Sequence, residues 1–322
     1  MPGSGHKISN SHLTVSLVVS WGKALIKIEK ILWAYDGSEE AKAALNHTVF
    51  LARRFGSEIL GIHVVVLTRR LLYEYLRRHP QIDIYSILDR VEEDYNKEFA
   101  SIGEELKAQG VSFKGYVCRN EPDKEILKYA ADNGVDLIVM GKRGRGLVNT
   151  VLVGSTTIKV LRRSKIPVFV AKRRNGKGEE GIGNILVPLD ISERLDSVLG
   201  YTIEFAKTLN AVLHVLYVLS LHMYEYDFPH SVIRDLRELS AKELRRRVER
   251  ISLEKGEGVD IRTDVVYATN PYLGIIDYAL THDIDLISMG THGRKGVKRL
   301  VLGSVTEKVI SDSPCSVLVL NP

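Results

Sequence analysis

Residues 136–160 read DLIVMGKRGRGLVNTVLVGSTTIKV, and residues 285–309 read DLISMGTHGRKGVKRLVLGSVTEKV. In both, an apolar run ends at a glycine, a second glycine follows after two residues, and a Gly-Ser pair after nine more. A short apolar run closed by glycine suits a strand buried on both faces. The segment opening at Gly-Ser has helical spacing. One copy would be a weak pattern. Two copies at a constant offset of 149 residues, which keeps Asp136, Gly141, Gly144, Arg145, Gly154, Ser155, Thr157 and Lys159 in register, make the chain a duplicated domain.

The residues upstream agree. Residues 31–35 form an apolar run ending at Asp36-Gly37-Ser38, a turn and helix N-cap sequence, and 39–55 has helix-forming composition with small or apolar residues on one face. Gly56 closes that helix, and 58–66, rich in Ile and Val, reads as a second strand. A long charged amphipathic helix (84–110), a strand (111–118), a helix opened by Pro122, the strand 137–140, a helix (155–163) and a short strand (168–170) complete the unit. Strands alternating with helices require crossover connections, hence an α/β fold whose parallel sheet is covered on both faces. Residues 171–184, charged and glycine-rich without apolar periodicity, read as a linker. Strands recur at 185–189 and 212–218, and the charged helix at 230–254. His63-Val64 pairs with His214-Val215, and Tyr73-Glu74-Tyr75 with Tyr224-Glu225-Tyr226, both at an offset of 151. The expected division is an N-terminal extension (1–22), a first domain (23–172), a linker (173–184) and a second domain (185–322).

The 322 residues suffice for two such domains, and 44% hydrophobic with 26% charged residues excludes disorder as the default. A net charge of +5 is compatible with a polyanionic partner. Cys118 and Cys315, the only cysteines, form no disulfide framework or metal spacing and point to a reducing, cytoplasmic setting. The longest apolar run, 13–21, falls far short of the roughly 20 residues of a membrane span.

In an open parallel sheet, ligands sit beyond the carboxyl ends of the strands where the winding reverses. With the first strand beside the fourth, Asp36 and Gly141 flank one crevice, and Asp190 and Gly290 the other. Gly141 and Gly144, with Gly290 and Gly293, let the main chain approach an anion and aim N–H groups at it. Gly154-Ser155 and Gly303-Ser304 open helices whose free N–H groups and dipole favour phosphate. Two such elements joined by a short loop suit a polyphosphate. The spacing is neither GxxxxGK[ST] nor GxGxxG. Arg145 and Arg294 coincide, and serve either as phosphate partners or as solvated loop residues.

On these motifs the sequence resembles the nucleotide-binding branch of the universal stress protein family, over 28–172 and 183–321, with ILWAYDGSEEA and ILVPLDISE similar to the family's first strand. The resemblance implies two tandem Rossmann-like domains of the adenine nucleotide alpha hydrolase-like type, each a five-stranded parallel sheet binding ATP, ADP or AMP, with or without Mg²⁺. It implies Asp36 and Asp190 beside adenine and ribose, and main-chain contacts to adenine from Val64 and Val215. Ribose and phosphates would lie on Gly141, Gly144, Gly154, Ser155 and Thr156, and on Gly290, Gly293, Gly303 and Ser304. Val305 stands where Thr156 does and lacks its hydroxyl. The resemblance also implies pairing of the two halves through their last strands as a pseudo-dimer, and allows a homodimer.

A stress-response regulator controlled by bound nucleotide is the first functional reading, and a slow ATPase the second. Hydrolysis would need a positioned base or metal-held phosphate. His63 and His214 each sit inside an apolar strand, where a structural role is the expectation, and His292 has Arg143 at its counterpart. Nucleic-acid binding is the third reading, from KRRNGK (172–177) and ELRRRVER (243–250). Interspersed acids and missing aromatics favour a linker and a solvated helix face instead.

Overall fold

The computed structural model describes residues 26–66, 83–144, 153–173, 181–189, 196–220, 230–255, 258–291 and 302–321. The N-terminal extension, both Tyr-Glu-Tyr segments, most of the linker, Arg145, Asp190, His292, Gly293 and Arg294 lie outside them. The first domain runs β1 (Lys30–Tyr35), α1 (Glu39–Phe55), β2 (Glu58–Val65), α2 (Ile84–Ala108), β3 (Phe113–Arg119), α3 (Pro122–Asp132), β4 (Leu137–Gly141), α4 (Ser155–Arg163) and β5 (Val168–Ala171). The second runs β6 (Asn184–Pro188), α5 (Asp196–Leu209), β7 (Val212–Ser220), α6 (His230–Lys255), β8 (Ile261–Ala268), α7 (Pro271–Thr281), β9 (Leu286–Gly290), α8 (Ser304–Asp312) and β10 (Ser316–Leu320).

Local chemistry sets these limits. Helix α1 starts where the Ser38 hydroxyl accepts the Ala41 N–H, and it ends at Gly56, left-handed at φ 72°, whose N–H donates to the Ala52 carbonyl. Glu39 and Glu40 at its start and Arg53 and Arg54 at its end complement the helix dipole.

All ten strands form one sheet in the order β3-β2-β1-β4-β5-β10-β9-β6-β7-β8. Within each domain the pairs are parallel, and the first strand lies between the second and fourth. The winding therefore reverses between β1 and β4, and between β6 and β9. The two halves join through their last strands, antiparallel, with Val170 opposite Val317 and Phe169 opposite Leu318. That is the internal pairing the resemblance implied.

One face of the sheet is covered by α1, α2, α5 and α6 around Trp33, Phe169 and Phe205. Helices α3, α4, α7 and α8 cover the other around Ile138, Val170 and Ile287. Each core runs across the domain junction. The buried Trp33 indole N–H donates to the Ala41 carbonyl (2.8 Å), as a buried tryptophan requires. No described helix is long and apolar enough to cross a membrane.

The sheet register corrects one equivalence. Ile31 pairs with Leu137 and Ile59, while Ile185 pairs with Leu286 and Leu213. Counting along β2 and β7 from these pairs, His214 matches Leu60, and Val64 matches Val218. The His-Val repeat is thus not an alignment of positions. Val215, expected beside adenine, lies mid-strand at 1% exposure, three residues short of the position that Val64 holds in the first domain. A strand buried on both faces carries no alternation in its sequence by which to fix register.

Candidate functional site

At the carboxyl ends of β1 and β4 lies a cleft of ≈ 450 Å³. Asp36 stands one residue beyond β1, and its Oδ1 accepts the Ser38 N–H at 3.0 Å. Gly37, at φ 79°, makes this tight turn. The Ser38 hydroxyl, besides capping α1, lies 3.5 Å from the Arg143 carbonyl and so fastens this turn to the glycine turn.

The glycines serve different ends. A Cβ on Gly141 would meet the Glu40 carbonyl carbon at 2.9 Å and the Ala41 nitrogen at 3.0 Å, because the first turn of α1 packs against it. A Cβ on Gly144 would lie 2.4 Å from Oδ2 of Asp36. Gly141 must be small because backbone closes on it, whereas at Gly144 the contact is with the end of the Asp36 side chain. Gly154 has φ −64°, and the nearest described atom to an added Cβ is 3.5 Å away, so nothing among the described residues demands glycine there.

Gly154 is the N-cap of α4, and no side chain caps the helix. Its N–H donates to the Lys142 carbonyl (2.9 Å), while Thr157 Oγ1 donates to the Gly141 carbonyl (3.1 Å). The second domain repeats this: the Gly303 N–H donates to the Thr291 carbonyl (2.8 Å) and Thr306 Oγ1 to the Gly290 carbonyl (2.9 Å). Helix α8 likewise lacks a side-chain cap. Among the described residues no side chain caps either helix, and first-turn N–H groups at such a terminus can take an external acceptor.

The cleft also has an apolar lining from Ile62, Val64, Ile126 and Met140. His63 Nδ1 lies 2.9 Å from the Tyr35 carbonyl oxygen, and its ring stacks on Tyr95 with centroids 3.4 Å apart. The Tyr35 hydroxyl donates to Glu98 Oε1 at 2.5 Å. Next to the glycine turn, burial and the neighbouring Lys172 and Arg143 charges lower the Lys142 ammonium to about 8. Among the described residues no group of three or more His, Cys, Asp or Glu side chains is arranged to hold a metal.

Asp36, Val64, Gly141, Gly144, Gly154, Ser155 and Thr156 thus line one cleft. Gly290 ends β9, and Gly303, Ser304 and Val305 open α8 beside it. Val91, Tyr95, Arg143 and Thr157 also line the first cleft and were not singled out by sequence. Thr157 carried a visible signal in its repeat at Thr306. Val91 and Tyr95 lie on the long amphipathic helix, where apolar spacing alone signals core, and Arg143 is matched in the second half by His292, not by another arginine.

The model of the universal stress protein family matches residues 27–172 and again 181–321. A universal stress protein of Methanocaldococcus jannaschii is 29% identical over 159 residues, 47% of this chain and 98% of the relative. The Bacillus subtilis universal stress protein YxiE is 32% identical, over 44% of this chain and 98% of its own. A solved universal stress protein from Archaeoglobus fulgidus superposes over 92% of this chain and 99% of its own at a TM-score of 0.66 and 23% identity, a likeness of fold. With two family matches covering both halves of one continuous sheet, the chain belongs to the universal stress protein family, as a tandem two-domain member.

Proposed function

We propose that the first cleft binds an adenine nucleotide, as ATP, ADP or AMP, that the equivalent turn of the second domain binds another, and that the protein is a cytoplasmic regulator responding to nucleotide. The observation that carries this is Gly154. It opens a helix at the cleft that no side chain caps among the described residues, with space for a Cβ among them, and helix N-termini with exposed N–H groups take phosphate. The apolar lining of Ile62, Val64 and Met140 suits a purine, and the Asp36 carboxylate in the same cleft suits ribose hydroxyls. The cleft volume falls in the range of small-molecule sites. Mg²⁺ would arrive on the phosphates, with Asp36 as the carboxylate lining the cleft.

The candidate acids and bases at the cleft are engaged in the fold: Asp36 with the Ser38 N–H, Tyr35 with Glu98, and His63 with the Tyr35 carbonyl and Tyr95. This favours binding over turnover. Gly154→Ala tests the reading. The methyl group fits the ligand-free protein and costs at most about 1 kcal/mol of stability as a poorer N-cap. ATP affinity at the first site, measured by calorimetry, should nevertheless fall at least about tenfold, the equivalent of one lost phosphate hydrogen bond. Unchanged affinity would remove the phosphate from this turn.

A further inference from the structure

The two glycine turns are tied crosswise through the domain junction. In the first domain the residue after Gly141 is Lys142. Its N–H donates to the Ala171 carbonyl (3.2 Å), its carbonyl accepts the Gly154 N–H (2.9 Å), and its ammonium donates to the Ser311 carbonyl in the last turn of α8. Lys172, just beyond β5, donates from its ammonium to the carbonyl of Ser313, the C-cap of α8, at 2.6 Å. In the second domain the equivalent of Lys142 is Thr291. Its N–H donates to the Leu320 carbonyl (3.0 Å), its carbonyl accepts the Gly303 N–H (2.8 Å), and its hydroxyl donates to Asn321 Oδ1 (2.6 Å). The Asn321 amide in turn donates to the carbonyl of Ser164, the C-cap of α4.

These bonds satisfy helix C-terminal carbonyls that would otherwise lack partners. Their placement is what matters. Helix α4 starts at the first glycine turn and ends on a side chain held by the second. Helix α8 starts at the second glycine turn and ends on a side chain held by the first. Each helix is nine residues long, a rigid rod of about 13 Å, so a displacement at one end reaches the other.

We propose that Lys142, Lys172 and Asn321 are positioning residues that couple two nucleotide sites, so that filling one turn changes the affinity of the other. This rests on the nucleotide reading above. Phosphate bound on the first-turn N–H groups of α4 draws on the end of a helix whose opposite end holds Asn321, and through it Thr291 and Gly303. In the other direction, phosphate on α8 acts on Ser311 and Ser313, and through them on Lys142 and Lys172. The Lys142 ammonium faces Lys172, Arg143 and Asp312, so an anion at the turn also relieves repulsion among three cations. Coupling between binding sites is reciprocal, so the same factor applies whichever site fills first.

The test is calorimetric titration of the full chain, stripped of nucleotide, with ATP and Mg²⁺, for wild type, Asn321→Asp and Lys172→Met. Asn321→Asp keeps the acceptor for the Thr291 hydroxyl and removes the donor to Ser164. Lys172→Met keeps the side-chain length and removes the ammonium. Neither residue lines the cleft. The ratio of the two stepwise dissociation constants should shift by roughly fivefold or more in each variant, the lower end of measured allosteric couplings, with two equivalents still bound. Two equivalents with the ratio unchanged in both variants would overturn the coupling and leave the nucleotide sites standing. A wild-type chain that binds no ATP, or only one equivalent, would overturn the nucleotide reading in one or both domains and the coupling with it. Thermal unfolding of the variants checks that a changed ratio is not a changed fold.

Discussion

The first domain seats α2 on two strands that carry glycine, and the second seats α6 on two strands that do not. An added Cβ on Gly61 would lie 2.7 Å from the Phe113 ring, and one on Gly115 would lie 2.5 Å from the Phe99 ring. The two phenylalanine rings meet edge to face at 5.7 Å in the space these glycines leave. By sheet register the matching positions in the second domain are Val215 and Thr263, and Ile261 replaces Phe113. There α6 and β8 line an open groove of ≈ 700 Å³ that includes Arg237, Leu244 and Arg245. Meanwhile the first strand beside the fourth and, among the described residues, the bonds that fasten Gly154 and Thr157, Gly303 and Thr306, are the same in both halves. Duplication has kept the backbone route that builds the turn and let the wall under the long helix diverge.

That contrast can be broken or sharpened by substitution. His214 occupies the position of Leu60, buried, with Nδ1 3.1 Å from the Tyr278 hydroxyl and Nε2 without a partner among the described residues. Burial, with smaller contributions from the Arg262 and His282 charges, pushes its imidazole down to about 4. Between there and the ordinary value near 6.5 the unfolded chain binds the extra proton, so stability is full above about pH 6.5 and is lost as the pH falls towards 4. His214→Leu, which copies the first domain, should remove roughly 2–3 kcal/mol of the stability lost between pH 7 and 4.5. Urea unfolding of both proteins at the two pH values measures this, and parallel losses would refute it.

A smaller effect is expected from Gly115→Val. It should cost about 2 kcal/mol by overpacking against Phe99, whereas Thr263→Val, at a position that already carries a branched side chain, should cost less than about 1. Equal costs for the two would show that the divergence of the walls has no energetic content. The smallest effect concerns the helix pair on the opposite face. Asp123, 2% exposed, holds Arg163 at 2.7 Å and Lys159 at 3.4 Å. At the matching position Tyr272 instead takes Lys308 over its ring at 4.6 Å. Asp123→Asn should cost about 1.5 kcal/mol as a lost charged hydrogen-bond pair, and Tyr272→Leu about 0.5 as a lost cation–π contact. Denaturant unfolding separates the two, and a larger loss at Tyr272 would reverse the assignment.

The fold was largely legible because its signals are local. Ser38 and Gly56 bound α1, Pro122 opens α3, and the glycine turn follows an apolar strand in both copies, all within a few residues. The duplication itself was read directly from the offset of 149. The register of β7 was not, because a strand without polar alternation offers a His-Val match at the wrong position as readily as at the right one. The cross-domain bonds were equally hidden. Lys142 and Ser311 are 169 residues apart, and only the antiparallel meeting of β5 and β10 brings them together. Sequence offered Gly144 as room for a ligand, and the structure adds a contact hidden from sequence, since a Cβ there would lie 2.4 Å from Asp36 Oδ2.

The most direct measurement is titration calorimetry of the purified chain, freed of nucleotide, with ATP and Mg²⁺, followed by chromatography of the nucleotide recovered. Two nucleotide-binding domains in one chain predict two equivalents bound and ATP recovered intact. No binding heat would contradict the account and reduce both glycine turns to strand-to-helix connections, and recovery as ADP would make the protein a hydrolase.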